Sequence, residues 1–148
     1  MKNLSLVLFL FFSINLSFNT MAQESSKIDE KASLMCSCIN KMLDDLHPQL
    51  KVFIKDIDAN GQQKAQENLT QYIVDNPEEA ESFMQSIQKF SDFENYISTI
   101  DGCDNLPEKM KEGEEDIDEF ESKLVSYFET NEQCSYAYIF YKMGTGKK

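Results

Sequence analysis

The sequence predicts an all-α fold, a small bundle of about five helices closed by two disulfides, and three observations carry that expectation. Apolar residues recur in steps of three and four along most of the chain, the spacing that keeps one face of a helix turned inward. Prolines, glycines and short polar residues stand between these runs, where helices start and stop. Four cysteines, Cys36, Cys38, Cys103 and Cys134, follow an export-type leader, and an oxidising compartment lets disulfides form and persist.

Residues 1–22 read as a signal peptide. Lys2 gives the positive start, Leu4 to Phe12 the apolar run, and Thr20-Met21-Ala22 a small-x-small cleavage site. The run is interrupted by Ser13, Asn15 and Ser17, and no other stretch approaches the ~20 apolar residues of a spanning helix. Cleavage leaves 23–148, expected to be a single helical domain with flexible ends, secreted or periplasmic and without a stable membrane span.

The first helix of that domain carries Ile28, Ala32, Met35, Ile39, Met42 and Leu46 on one face. Cys36 and Cys38 lie on it two residues apart, which is roughly 200° of rotation. They therefore point at different neighbours, and a bond between them would distort the helix. One is expected to pair with Cys103 and the other with Cys134, and the spacing leaves open which. The helix should stop before His47-Pro48, since the residue ahead of a proline is disfavoured in helical geometry.

Pro48 then opens a segment whose inward face is Leu50, Phe53, Ile54 and Ile57, resumed after Asn60-Gly61 by Ala65, Leu69, Tyr72 and Ile73. Its pattern is compatible with one helix or two. Asn76-Pro77-Glu78-Glu79 is a start signal: an amide N-cap, proline at the first position and acids at the positive end of the helix dipole. Ala80, Phe83, Met84, Ile87 and Phe90 form the apolar face that follows. Phe93, Tyr96, Ile97 and Ile100 continue it or open a short second piece, and Asp101 to Asn105 make a turn that leaves Cys103 in a loop.

Pro107 to Asp116 is polar and acidic, so any helix there is expected to be mostly solvated. Ile117, Phe120, Leu124, Tyr127 and Phe128 then mark a surface helix with one buried side. Thr130 and Gln133 are spaced as a capping box for the last helix, in which Cys134, Ala137, Tyr138 and Tyr141 share a face and Gly144 suits the C-cap. Aromatics between Ser135 and Tyr141 make a strand the rival reading. Reduction of the disulfides is expected to loosen 104–133 and the last helix before the helix that starts at Asn76, because the acidic segment has little apolar surface to bury.

The chain holds 14 Lys and no Arg against 26 Asp plus Glu, a formal charge of −12. Loss of the leader removes Lys2 and no acid. Phosphate recognition relies on clustered positive charge and often on the planar fork of Arg, so no nucleic-acid partner is expected. His47 is the single histidine, and no nucleophile or general-base constellation assembles around it from sequence. Cysteines and Met35, Met42 and His47 supply soft-metal donors, but helical rotation turns the two sulfurs apart and oxidation consumes them. Gly144-Thr145-Gly146-Lys147 has no helix after it to act as a phosphate loop. No enzyme activity, cofactor or metal is expected.

One segment carries a recognisable motif. Asp56-Ile57-Asp58-Ala59-Asn60-Gly61, five further residues and Glu67 fit the spacing D-x-[DN]-x-[DN]-G-x5-E and resemble an EF-hand calcium loop over those twelve residues. The resemblance implies side-chain ligands from Asp56, Asp58 and Asn60, a backbone carbonyl from Gln62 and a bidentate Glu67. Gln63 stands where such loops carry a branched apolar residue, Lys64 stands at a ligand position, and Asn68 stands at an apolar contact position. Tight calcium binding is not expected.

The leading expectation is thus an exported, non-enzymatic helical domain, structural or bound to another macromolecule such as a protein. Two alternatives accompany it: a calcium-binding module at 56–67, and a carrier of a small apolar ligand. The last draws on the aromatic content, 11 Phe and 6 Tyr, which otherwise serves to fill the core.

Overall fold

A computed structural model describes residues 27–112 and 117–145. The expected signal peptide at 1–22, residues 23–26, residues 113–116 of the acidic segment and the last three residues lie outside that range. The described residues are helical and contain no strand, so the aromatic stretch from Ser135 resolves as helix.

Helix α1 spans 27–44 and is the element the others surround. Ile28, Ala32, Cys36, Cys38, Ile39, Met42 and Leu43 are buried on it, while Glu30, Ser33, Ser37, Lys41 and Asp44 form its single exposed stripe. Ser37 is the middle of that stripe. Its neighbours Cys36 and Cys38 lie about 100° to either side, and both are almost fully covered. Only a helix with protein on two flanks can bury both, and the disulfides supply those flanks. Cys36 is bonded to Cys134 and Cys38 to Cys103, which decides between the two cross-helix pairings.

Helix α2 (Pro48–Asn60) begins at its proline, with His47 as N-cap: Nδ1 accepts the Gln49 N–H at 3.2 Å. Gly61 then separates it from α3 (Gln62–Asp75). At φ 82°, ψ 161° this residue occupies a region open essentially to glycine alone. The chain reverses there. Asn68 donates to Asp56 Oδ2 at 2.7 Å, although twelve residues of straight helix would hold them roughly 18 Å apart. The segment 48–75 is therefore two helices in a hairpin, with Leu50, Ile54 and Ala65 in the core.

After a short 3-10 turn, Pro77–Glu79, come α4 (Ala80–Ser91) and α5 (Phe93–Ser98), divided at Asp92. Asn76 does not cap them with its side chain. Its amide donates back to the Tyr72 carbonyl at 2.8 Å and closes α3, so the proline alone sets the start. Met84 is also on the outside, 55% exposed, whereas Phe83 is buried. A loop with Gly102 and Asn105 at positive φ leads past Cys103 into α6 (Leu106–Lys111). Pro107 and Glu108 of this helix are exposed, as the polar composition implies, while Leu106 ahead of them is buried and Met110 packs against the core.

Helix α7 (Ile117–Thr130) buries Phe128 and ends in a second 3-10 turn, Glu132–Cys134, before α8 (Ser135–Thr145). The cap is Asn131, whose side chain accepts the Gln133 N–H at 3.0 Å. Thr130 is spent instead on the preceding helix, donating to the Ser126 carbonyl at 3.0 Å. Gly144 lies in the final turn of α8 rather than beyond it. The described residues thus hold eight α-helices where the pattern suggests about five. The additional breaks fall at Gly61 and Asp92, and the additional element is α6.

Candidate functional site

The buried side chains form one cluster running through α1, but the packing is incomplete between α1, the α4–α5 junction, α7 and α8. An apolar cavity of about 420 Å³ lies there, partly open to solvent. Its walls come from separate helices. Phe90 and Phe93 straddle the break at Asp92 and meet Phe140 of α8, so three rings from separate helices stand edge to face or tilted at 5.7 to 6.2 Å. Rings held this way present faces and edges that do not close on one another as branched aliphatics would. The remaining lining comes from Met35 and Ile39 of α1, Leu124, Val125 and Phe128 of α7, and Ala137. Ala137 is a short side chain facing large ones.

Two polar side chains reach the lining, Glu121 and Tyr141. They are paired: the Tyr141 hydroxyl donates to Glu121 Oε1 at 2.9 Å. One turn of α7 separates Glu121 from Leu124 and Val125, so the carboxylate stands at the exposed rim above them. A cavity of this size, apolar with one polar end, is within the range that takes small ligands.

The same tyrosine-to-carboxylate pairing recurs. Tyr72 donates to Glu79, Tyr96 to Asp45 and Tyr138 to Glu129. In a chain without arginine, phenol hydroxyls thus serve as partners for its many acids. Burial, then the Asp45 hydrogen bond, pushes the Tyr96 hydroxyl up to about 12. The hydrogen bonds to Glu79 and Glu129 likewise raise Tyr72 and Tyr138 above the usual phenol value.

His47 belongs to the first of these pairs. Its Nδ1 accepts from Gln49, which leaves the proton on Nε2, and Nε2 stands 3.2 Å from the same Glu79 oxygen that Tyr72 contacts. The His47 main-chain N–H donates to the buried Ser86 hydroxyl at 2.9 Å. Both ring nitrogens are thereby engaged away from Ser86, so the serine and histidine do not form a nucleophile and base. The cluster ties the start of α2 to α3 and α4. Its members come from positions 47, 72, 79 and 86, and no spacing in the sequence joins them.

The residues of the EF-hand-like segment do not converge. Asp56, Asp58 and Asn60 lie on the last turns of α2, and Gln62 and Glu67 on α3. Asp56 accepts from Asn60 and Asn68, which hold its carboxyl below the usual range. Asp58 is paired with Lys142, and Glu67 with Lys64 at 3.2 Å. Among the described residues no group of three or more His, Cys, Asp or Glu is placed to hold a metal ion.

All four cysteines are bonded. The Cys36–Cys134 bond joins α1 to the turn that leads into α8, and α1 and α8 both wall the cavity; Asn40 reinforces the junction by donating to the Gln133 carbonyl at 2.7 Å. Sequence reasoning selects these cysteines but misses Glu121, Tyr141 and the grouping of Phe90, Phe93 and Phe140. Glu121 sits in an acidic helix face that looks solvated, and Tyr141 lies twenty residues away.

Fold and site together define an all-α, doubly disulfide-linked domain with an apolar cavity at the meeting point of several helices. Comparison with known protein families, with curated proteins and with solved structures found no match. No helix among the described residues is long and apolar enough to cross a membrane.

Proposed function

We propose that this chain is an exported, non-enzymatic carrier that holds a small apolar ligand between α1, α5, α7 and α8. The observation that carries this reading is the apolar cavity of about 420 Å³ with a single polar pair at its rim. Apolar walls left unpacked forgo the contacts a filled core would make, and a bound ligand restores them. Two disulfides behind an export leader suit a secreted or periplasmic carrier, since they hold the walls in position without a filled interior. The cavity favours a small ligand over a macromolecular partner.

Titration with the apolar fluorophore N-phenyl-1-naphthylamine tests the proposal. The expected result is saturable one-to-one binding to the wild type. Val125→Phe, which extends a half-buried cavity side chain into the space, should weaken it by at least about tenfold, near the value of one large apolar contact. Val52→Phe, on the exposed side of α2, should leave binding unchanged. The same filling should raise the melting temperature, as cavity-filling substitutions commonly do. Absence of saturable binding, or binding indifferent to Val125→Phe, would refute the carrier reading.

A further inference from the structure

We infer that the polar end of the ligand is a protonated amine, received by Glu121 at the rim while the apolar body lies among the phenylalanines. This inference rests on the carrier reading and adds the chemical class of the ligand. The cavity wall offers no other charge: its lining is apolar apart from Glu121 and Tyr141. The Tyr141 hydroxyl binds Oε1 and restrains the carboxylate, and the exposed rim position leaves that carboxylate accessible to an incoming amine. Hydrogen bonds to a charged partner are roughly twice as strong as neutral ones, and apolar walls on one side strengthen the attraction further.

A fatty carboxylate would meet the opposite situation, two negative groups at one mouth. The lysines nearest in sequence to the lining residues offer no relief, because each is committed. Lys89 lies over the Tyr96 ring at 5.4 Å, Lys123 contacts Glu119 at 2.8 Å, and Lys142 is paired with Asp58. The formal charge of −12 adds a long-range field that attracts cations and repels anions. Rim carboxylate, committed lysines and overall field all favour an amine.

Three amphiphiles of equal chain length, decylamine, decanol and decanoate, each below its aggregation concentration, are competed against bound N-phenyl-1-naphthylamine at neutral pH. The amine should displace the probe best, then the alcohol, then the acid, with about tenfold between amine and acid, the scale of one charge-assisted hydrogen bond. Glu121→Gln should weaken the amine several-fold, leave the alcohol nearly unchanged and improve the acid. Glu81→Gln, at an exposed acid of α4 outside the lining, should leave the order intact. Equal competition by acid and amine, a loss on Glu121→Gln shared by all three, or an equal loss of amine binding on Glu81→Gln would overturn the inference while leaving the apolar cavity as a ligand site. Failure of the wild type to bind the probe would remove both.

Discussion

Between Pro48 and Asp75 the chain folds back on itself at a single glycine and carries no cysteine, whereas beyond Ile100 it is tied to α1 twice. The hairpin is held by non-covalent contacts alone: Asp56 with Asn68 across the turn, Asp58 with Lys142 of α8, and Leu50, Ile54 and Ala65 buried. The later segment meets α1 across separations of 65 and 98 residues. It includes α7 and α8, which supply two of the walls of the open cavity. The hairpin buries few side chains and has no covalent tie, whereas the later segment buries Cys103, Leu106, Phe128, Cys134, Ala137 and Ile139 and is also bonded to α1. The staples therefore fix walls around an incompletely packed cavity, and the hairpin depends on its turn and on side-chain contacts alone.

Removing the longer tie should have the largest effect. Cys36→Ser combined with Cys134→Ser should lower unfolding free energy by about 2–4 kcal/mol, since a closed loop of this length constrains the unfolded chain strongly. Urea denaturation measures it, and a loss under about 0.5 kcal/mol, the scale of an ordinary surface substitution, would break the comparison. The hairpin has its own weak point. Gly61→Ala should cost about 1–3 kcal/mol because its φ and ψ exclude a Cβ. Nothing stands near Gly61 to clash, so the cost is conformational alone. Gly144→Ala, at a helical glycine equally free of neighbours, should instead be neutral or slightly stabilising. Equal effects at the two glycines would contradict the hairpin geometry.

A smaller effect should appear at high pH. Folding raises the Tyr96 hydroxyl from 10.0 to about 12, so the folded state keeps a proton that the unfolded state loses. The stabilisation is complete below pH 10, and it should decline as pH rises from 10 toward 12. Tyr96→Phe should flatten that part of the pH profile; an unchanged slope would exclude Tyr96 as its source. Smallest of all is the expected response to calcium. Micromolar calcium should not raise the melting temperature, because the oxygens of Asp56, Asp58 and Glu67 are engaged within and between helices. A clear rise abolished by Asp56→Ala or Glu67→Gln would promote 56–67 to a binding site.

The comparison also marks what the sequence makes legible. Features encoded by local stereochemistry are readable: Pro48 starts α2, and two residues of helix turn Cys36 and Cys38 to different partners, whereas Asn60-Gly61 permits a break without deciding between one helix and two. Features decided by competition between two nearby acceptors are not. Asn76 has a carbonyl behind it and a helix start ahead of it, and its amide takes the carbonyl. Thr130 and Asn131 both have capping chemistry, and the threonine is withdrawn by its own helix. The cavity is still less legible, because a void is a property of how Phe90, Phe93 and Phe140 meet and not of any one of them. Helical spacing places all three inward and is silent on whether they close the space.

Hydrogen exchange on the oxidised protein and on the Cys36→Ser, Cys134→Ser variant tests most directly whether the staples hold the cavity side alone. Loss of the tie should deprotect 104–133 and the amides of α8 first, while those of α3 and α4 keep most of their protection, as expected for cooperative units of unequal stability. Protection lost first from α3 or α4, with α7 and α8 still protected, would contradict the division between a hairpin held without covalent ties and a covalently held cavity side.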